Sequence, residues 1–240
     1  MKLPITAVLS ALTALAVTAA PVPKEKEEPL GPPTAEQLQK SKANLKLIGI
    51  ALHGYNDAHN AMPRDVVDKD GKPLLSWRVM ILPHLGEEEL FKQFKLDEPW
   101  DSKTNKPLME KIPKVYAPIR VKAKAGETFY QGFDGPDATF EAGKRLGFGA
   151  FTDGLSNTIM VVEASEPCTW TRPHDLPYDG SKPLPKLGGL FEGDFHVLMG
   201  DGSVNIGHGK KMDVAEFRKL VTKSDGMVMN HDKALGHEKK

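Results

Sequence analysis

The chain is poor in the features that most readily reveal a function. It has a single cysteine, Cys168, so no internal disulfide can form, and its 240 residues are enough to bury a core without one. Lone in EPCTW, that thiol reads as a small filler rather than a nucleophile. Lys plus Arg and Asp plus Glu both number 32 and no block of like charge stands out, so no nucleic-acid footprint is expected. No His-Glu-x-x-His pair occurs and the histidines are scattered, which argues against a zinc enzyme. Ser156, His196 and Asp201 supply the residue types of a hydrolase triad, yet no nucleophile elbow surrounds Ser156 in DGLSNT, where it reads as a turn residue.

What is present begins with MKLPITAVLSALTALAVTAAP: one Lys, an uncharged run from Leu3 to Ala20, and small residues ending in Val17-Thr18-Ala19. This pattern predicts a secretory signal over residues 1–19, the alternative being an uncleaved anchor; the run is short against the ~20 residues of a spanning helix. The mature protein is expected in the periplasm or outside the cell, with no membrane span after cleavage. No Cys follows the signal, which excludes a lipid-modified anchor. Residues 20–33, rich in Pro and charge, read as an extended spacer. A single domain is expected over 34–230, followed by a polar, frayed tail over 231–240.

Thr34 with Gln37 three residues on has the form of a capping box. Leu38, Leu45, Ile48, Leu52 and Tyr55 follow at helical spacing as far as Met62-Pro63, which predicts a long amphipathic helix. His53, Asn56, Asp57, His59 and Asn60 gather near its end. A metal site is geometrically open to them, but His53, His59 and Asn60 are better explained as closing the last carbonyls at the negative end of the helix dipole.

Further on, SWRVMILPHL leads into a helical GEEELFKQF. Asp97, Glu98, Asp101 and Asn105 then place oxygen ligands close together, a candidate calcium loop without EF-hand spacing; the competing reading is a turn and a helix capped by Asp101 or Ser102. The second half changes to short strand-like runs, ETFYQGF, NTIMVVEAS, DFHVLM and SVNIG, punctuated by Asp-Gly pairs. HVLM-GDG-SVNI is the clearest hairpin. Glu163 and Glu166 are expected to be solvated or linked to Arg172 or Lys186, and Trp77, Trp100, Trp170 and Tyr178 to anchor core and loops rather than form a sugar platform. A last helix, Asp213 to Val221, should bring Val214, Phe217, Leu220 and Val221 against the sheet.

Several blocks in one order, NLKLIGIALHGYNDAHNAMP, SWRVMILPHL, LDEPWDSKTN, FTDGLSNTIMVVEASEPCTWTRPHDLPYD, PLPKLGG and FHVLMGDGSVNI, carry a resemblance. The chain resembles the exported, pseudopilin-like family of unknown function expanded in planctomycete bacteria, which also goes by a solute-binding-protein name. The resemblance implies an α+β fold, with an N-terminal amphipathic helix packed on an antiparallel sheet as in pilins and pseudopilins, and long loop excursions. It implies no established catalysis. Two departures stand out: an ordinary signal replaces the prepilin processing site, so filament assembly is not implied, and Phe191 stands where many members carry His, the nearest here being His196.

The leading expectation is a non-enzymatic, envelope-associated structural or binding domain that acts through surface contacts with protein partners. A solute- or calcium-binding extracytoplasmic protein, resting on Asp97, Glu98, Asp101 and Asn105, is the alternative; an envelope hydrolase built on Ser156 and His196 comes third. No cofactor other than calcium is expected.

Overall fold

The computed structural model describes residues 31–121, 124–141 and 144–237. The expected signal over residues 1–19 and the expected spacer as far as residue 30 lie outside the described residues. Thr34 opens α1 (Ala35–His59) with the reciprocal capping box: its hydroxyl accepts from Gln37 N–H, and the Gln37 side chain accepts from Thr34 N–H. Leu45, Ile48 and Leu52 share the buried face, each contributing roughly 1.5–3 kcal/mol by leaving water. The helix stops at Asn60, whose left-handed conformation (φ 50°) ends the hydrogen-bond ladder. His59 closes that end as expected, with Nδ1 2.9 Å from the Tyr55 carbonyl. His53 does not. It sits more than a turn before the end, where helix carbonyls already have amide partners, and its Nε2 lies 2.7 Å from the Gly200 carbonyl, tying α1 to the sheet.

Beyond Pro63, β1 (Val66–Val67) and β2 (Pro73–Leu75) form a small antiparallel hairpin. Its turn is held by Asp68, whose Oδ1 accepts from the N–H groups of Asp70 and Lys72, with Gly71 at φ 80°. Ser76 caps α2 (Trp77–Met80), and a 3₁₀ turn (Leu82–Leu85) and α3 (Glu88–Phe91) complete the apolar segment. Neither Asp101 nor Ser102 caps a helix here. Lys106–Glu110 is a 3₁₀ turn without a side-chain cap, and Ser102 Oγ accepts from Asn105 N–H at 3.0 Å instead.

The strand-rich half supplies β3 (Glu127–Gln131), β4 (Phe133–Asp134), β5 (Ile159–Thr169), β6 (Leu176–Pro177), β7 (Asp194–Met199) and β8 (Val204–His208). Four of them form an antiparallel sheet in the order β3-β5-β7-β8, while β4 and β6 pair separately and in parallel. The β7–β8 hairpin turns on Gly202 (φ 83°), where the Asp-Gly pair predicted it. After it come α4 (Val214–Val221), capped by Asp213, and α5 (His231–Leu235).

Both faces of the sheet are covered, which is why β5 reads as a near-continuous apolar run. Val161 and Leu198 pack with Leu45, Ile48 and Leu52 of α1; Val162, Val197 and Met199 pack with Phe217 of α4 and Leu235 of α5. Met160 and Val161, consecutive in sequence, both join the α1 side because the β5–β7 ladder shifts register between Ile159 and Val161. The fold is therefore α+β, an N-terminal helix on an antiparallel sheet. Two expectations at the C-terminus change. Val214 is 46% exposed, since it sits in the first turn of α4 and faces out, and the segment expected to fray from His231 folds as α5, with Ala234 and Leu235 buried against α4 and β8. A polar composition hid two adjacent apolar residues, Ala234 and Leu235, immediately before a helix stop at Gly236. Among the described residues no helix is long and apolar enough to cross a membrane.

Candidate functional site

The most developed site grows from the short α2. Ser76 accepts from Arg78 N–H and so starts a single helical turn that sends Trp77 and Arg78 inward together. Arg78 is wholly buried. Its Nη2 donates to Asp175 Oδ1 at 2.7 Å, Nη1 to Ser76 Oγ at 2.8 Å and Nε to the Tyr130 carbonyl at 3.0 Å. Asp175 also accepts from Trp77 Nε1 at 2.9 Å and from Gly132 N–H at 2.7 Å. Every strong partner of this ion pair is fixed by backbone or by another buried group, which is what makes a buried pair tolerable. Burial opposes the Arg78 charge, but Asp175 beside it more than compensates and holds the guanidinium protonated.

Above this pair lies Asp65, just after the Pro63 turn. Its Oδ1 accepts from Trp77 N–H at 2.8 Å. Burial, followed by repulsion from Asp175, pushes its carboxyl up to about 7, against the pull of the Trp77 N–H and Arg78. Asp65 and Asp175 line, with Asp134 at the end of β4, a cleft of about 260 Å³. Its walls are largely apolar: Met62 and Pro63 just after α1, Val67 and Pro73 from the edge hairpin, Phe140 and Leu146. Phe140 in the wall is backed by Trp77, whose ring stacks on it with centres 4.8 Å apart. At the rim Glu141 is engaged by Lys144 and Lys223, which hold its carboxyl below the usual range despite burial. A shaped apolar cavity with a few convergent polar groups, one of them strongly displaced in pKa, is the arrangement a small-molecule site takes.

A second buried network joins α1 to the sheet. Glu163, on β5, is 1% exposed, and its Oε2 accepts from His196 N–H at 2.7 Å and lies 2.8 Å from His196 Nδ1. Ser41 of α1 donates to Glu163 Oε1, and Tyr130 OH stands 3.3 Å from Ser41 Oγ. The expectation that Glu163 is solvated or linked to Arg172 or Lys186 is thus overturned: α1 covers that face of β5, and the carboxylate finds its partners there. Glu166 stays exposed.

The residues singled out from sequence fall elsewhere. Asp97 and Asp101 are exposed and Glu98 half-buried in one loop, while Asn105 is wholly buried. Its Oδ1 accepts from Lys95 N–H, and its Nδ2 donates to the carbonyls of Lys95, Glu98 and Pro99, so the carboxamide staples the loop. Among the described residues no group of three or more His, Cys, Asp or Glu gathers as a metal site would. Ser156 is exposed on a 3₁₀ turn, whereas His196 is buried against Glu163 and Asp201 accepts from Ser203 N–H. Trp77, Trp170 and Tyr178 are buried anchors, and Trp100 is half-buried under Arg172. Cys168 is buried, and burial pushes its thiol up to about 11.

Arg78, Asp175 and Asp65 were not singled out from sequence. The available signal was Arg78 itself, a charge inside the apolar run SWRVMIL, which must find an acid if that run is core. A profile of the family described as protein of unknown function (DUF1559), short name SBP_bac_10, matches residues 39–182, a span that contains the whole lining of the cleft. The chain belongs to that family, which is also named as a solute-binding one. No curated protein and no solved structure matches the chain.

Proposed function

On the premise of that membership, we propose that the protein is an exported, non-enzymatic binding domain of pseudopilin-like build, which takes a small solute in the cleft over Asp65 and Asp175. The observation that carries this reading is the cleft's construction: apolar walls, Phe140 backed by the stacked Trp77 ring, and an acid end supported from beneath by Arg78. Its volume of about 260 Å³ is slightly below the roughly 300–1,000 Å³ usual for drug-sized ligands, which suits a small occupant. The solute-binding name of the family points the same way. The signal-like N-terminus supports export, and the long helix on an antiparallel sheet supports a pseudopilin-like relation. Support for a non-enzymatic role comes from Ser156, which neither His196 nor Asp201 orients.

The test is a screen of small solutes by thermal unfolding of the purified chain beside Val67→Trp. Val67 is 43% exposed at the cleft edge, so an indole there fills the cleft without disturbing the core. Solutes that raise the wild-type melting temperature and leave Val67→Trp unmoved support the reading, since a ligand selective for the folded state stabilises it by mass action. Hits that raise both equally, or a screen without hits, would overturn it. Calcium belongs in the same screen with Asp101→Ala as its control.

A second reading, contact with an envelope protein, is favoured by one observation. Leu47 and Ile50, on the outward face of α1, are 51% and 66% exposed beside a groove lined by His84, Leu85 and Val115. Loss of a co-purifying envelope partner in Ile50→Glu, with the cleft intact, would move the emphasis there.

A further inference from the structure

We infer, resting on the solute-binding reading above, that the occupant of the cleft is a small organic ammonium ion: an amine whose charged head meets Asp65 and whose carbon body lies against Val67, Phe140 and Leu146.

The argument starts from which charges are already engaged. Arg78 is the fixed cation beneath the cleft, and Asp175, Ser76 and the Tyr130 carbonyl occupy its three nitrogens. At the rim, Lys144 pairs with Glu141 at 2.7 Å. The acids that line the cavity are Asp65, Asp134 and Asp175, the last paired with Arg78 and Asp134 engaged as well, with Arg64 and His174 also in the lining. Asp65 Oδ1 is held by Trp77 N–H, while Oδ2 receives no hydrogen bond among the described residues. One carboxyl oxygen is therefore directed by its neighbour and the other is open to a donor.

Crowded, partly buried carboxyl groups relieve their repulsion by taking up a positive charge. Burial, and after it the repulsion from Asp175, favours a proton on Asp65 and raises its carboxyl to about 7. An ammonium head group supplies the same charge and up to three N–H donors, and a hydrogen bond to an ionised carboxylate is stronger than a neutral one. Metal ions fit less well. Calcium takes about six to eight oxygen ligands, whereas most of this wall is carbon, and a space of about 260 Å³ is far larger than a bare ion. The carbon walls instead match a short apolar body attached to the charge.

The test uses four probes on the purified chain by titration calorimetry at pH 8: benzylammonium, benzyl alcohol, benzoate and calcium chloride. Benzylammonium is expected to bind roughly tenfold or more tightly than the alcohol, the difference a hydrogen bond to a charged group makes, with benzoate and calcium silent. Asp65→Asn keeps an oxygen for Trp77 N–H, and so the fold, while removing the charge; it is expected to abolish the preference for the ammonium over the alcohol. Lowering the pH below 7 should weaken benzylammonium in the wild type alone, as proton and ammonium compete for Asp65. Equal or tighter binding of the alcohol or benzoate, or binding of calcium alone, overturns the ammonium assignment. If that binding is blocked in Val67→Trp, the cleft remains a solute site and only its chemistry is wrong. Silence from all four probes also overturns the assignment, and the wider solute screen then decides the solute-binding reading separately.

Discussion

Two buried acids, Asp175 and Glu163, hold comparable positions beside the central sheet, yet the chemistry around them diverges. Each accepts a backbone N–H, from Gly132 and His196 respectively, and each has a basic partner, Arg78 or the His196 ring. Glu163 is sealed by α1, whose Ser41 completes its shell. Asp175 is held by Trp77 and Arg78 of the short α2 and also lines the cleft. The edge hairpin and the residues just after α1 pass beside it and leave that cleft, into which a third acid, Asp65, also faces. Burial of a charge therefore does not mark a functional site by itself. What separates the two networks is whether something other than protein can reach them.

The largest effect should come from removing the open network's cation. Arg78→Ala leaves Asp175 charged and buried without its counter-ion and deprives the Tyr130 carbonyl of a donor. We expect a loss of about 3–5 kcal/mol in urea-denaturation stability, and with it the cleft floor. Glu163→Ala comes next: it orphans the His196 N–H and leaves the Ser41 hydroxyl only the longer contact to Tyr130 OH in a dry layer, at about 2–3 kcal/mol. The two variants should differ in function as well as in size. Ligand-induced stabilisation should survive Glu163→Ala below its lowered melting temperature. Equal loss of binding in both variants would break the distinction between sealed and open.

Titration offers a finer contrast. An unfolded Asp titrates near 3.8, whereas folded Asp65 holds its proton to about 7. Well below pH 3.8 both states are protonated and Asp65 has no influence on stability. As the pH rises from about 4 to 7 the unfolded chain ionises first, so stability falls, and above about 7 the loss is complete. Allowing for partial exposure, wild type should lose about 1–2 kcal/mol relative to Asp65→Asn across that window, measured as the difference between their urea midpoints. A constant difference from pH 4 to 8 would show that Asp65 is not displaced.

The same contrast shows what could be read from the chain. Periodicity and punctuation carried α1 with its capping box, the β7–β8 hairpin and the Asp213-capped helix, because each depends on residues within a few positions of one another. The buried networks depend on partners 33, 97 and 122 residues apart, as in His196–Glu163, Arg78–Asp175 and Ser41–Glu163. No local pattern reports such a pairing. Glu163 was misread because a Glu in a strand is usually solvated, and only the helix laid across that face changes the expectation. Asp65 was invisible for another reason: its neighbours Arg64 and Val66 are an ordinary edge sequence, and the cleft exists only once β1–β2 and the β4–β6 region stand side by side. Asn105 illustrates the converse, a side chain of ligand type that the fold turns inward to bind backbone.

The smallest expected effect sharpens the comparison most. Ser41→Ala removes one donor from Glu163, which keeps both contacts from His196, and alanine is the better helix former at that point of α1. The net cost should be about 1 kcal/mol, visible as a modest drop in melting temperature with solute binding unchanged. Asp65→Asn, at the same level of chemical change, should do the reverse at pH 8: stability held or raised, and selectivity for the cation lost. Both substitutions alter one polar group near a buried acid. If the sealed network is structural and the open one receives a ligand, the first moves only the unfolding transition and the second chiefly the binding isotherm; a crossed pattern, with Ser41→Ala weakening binding, would mean that α1 and the cleft are coupled and that the sheet transmits between the two networks.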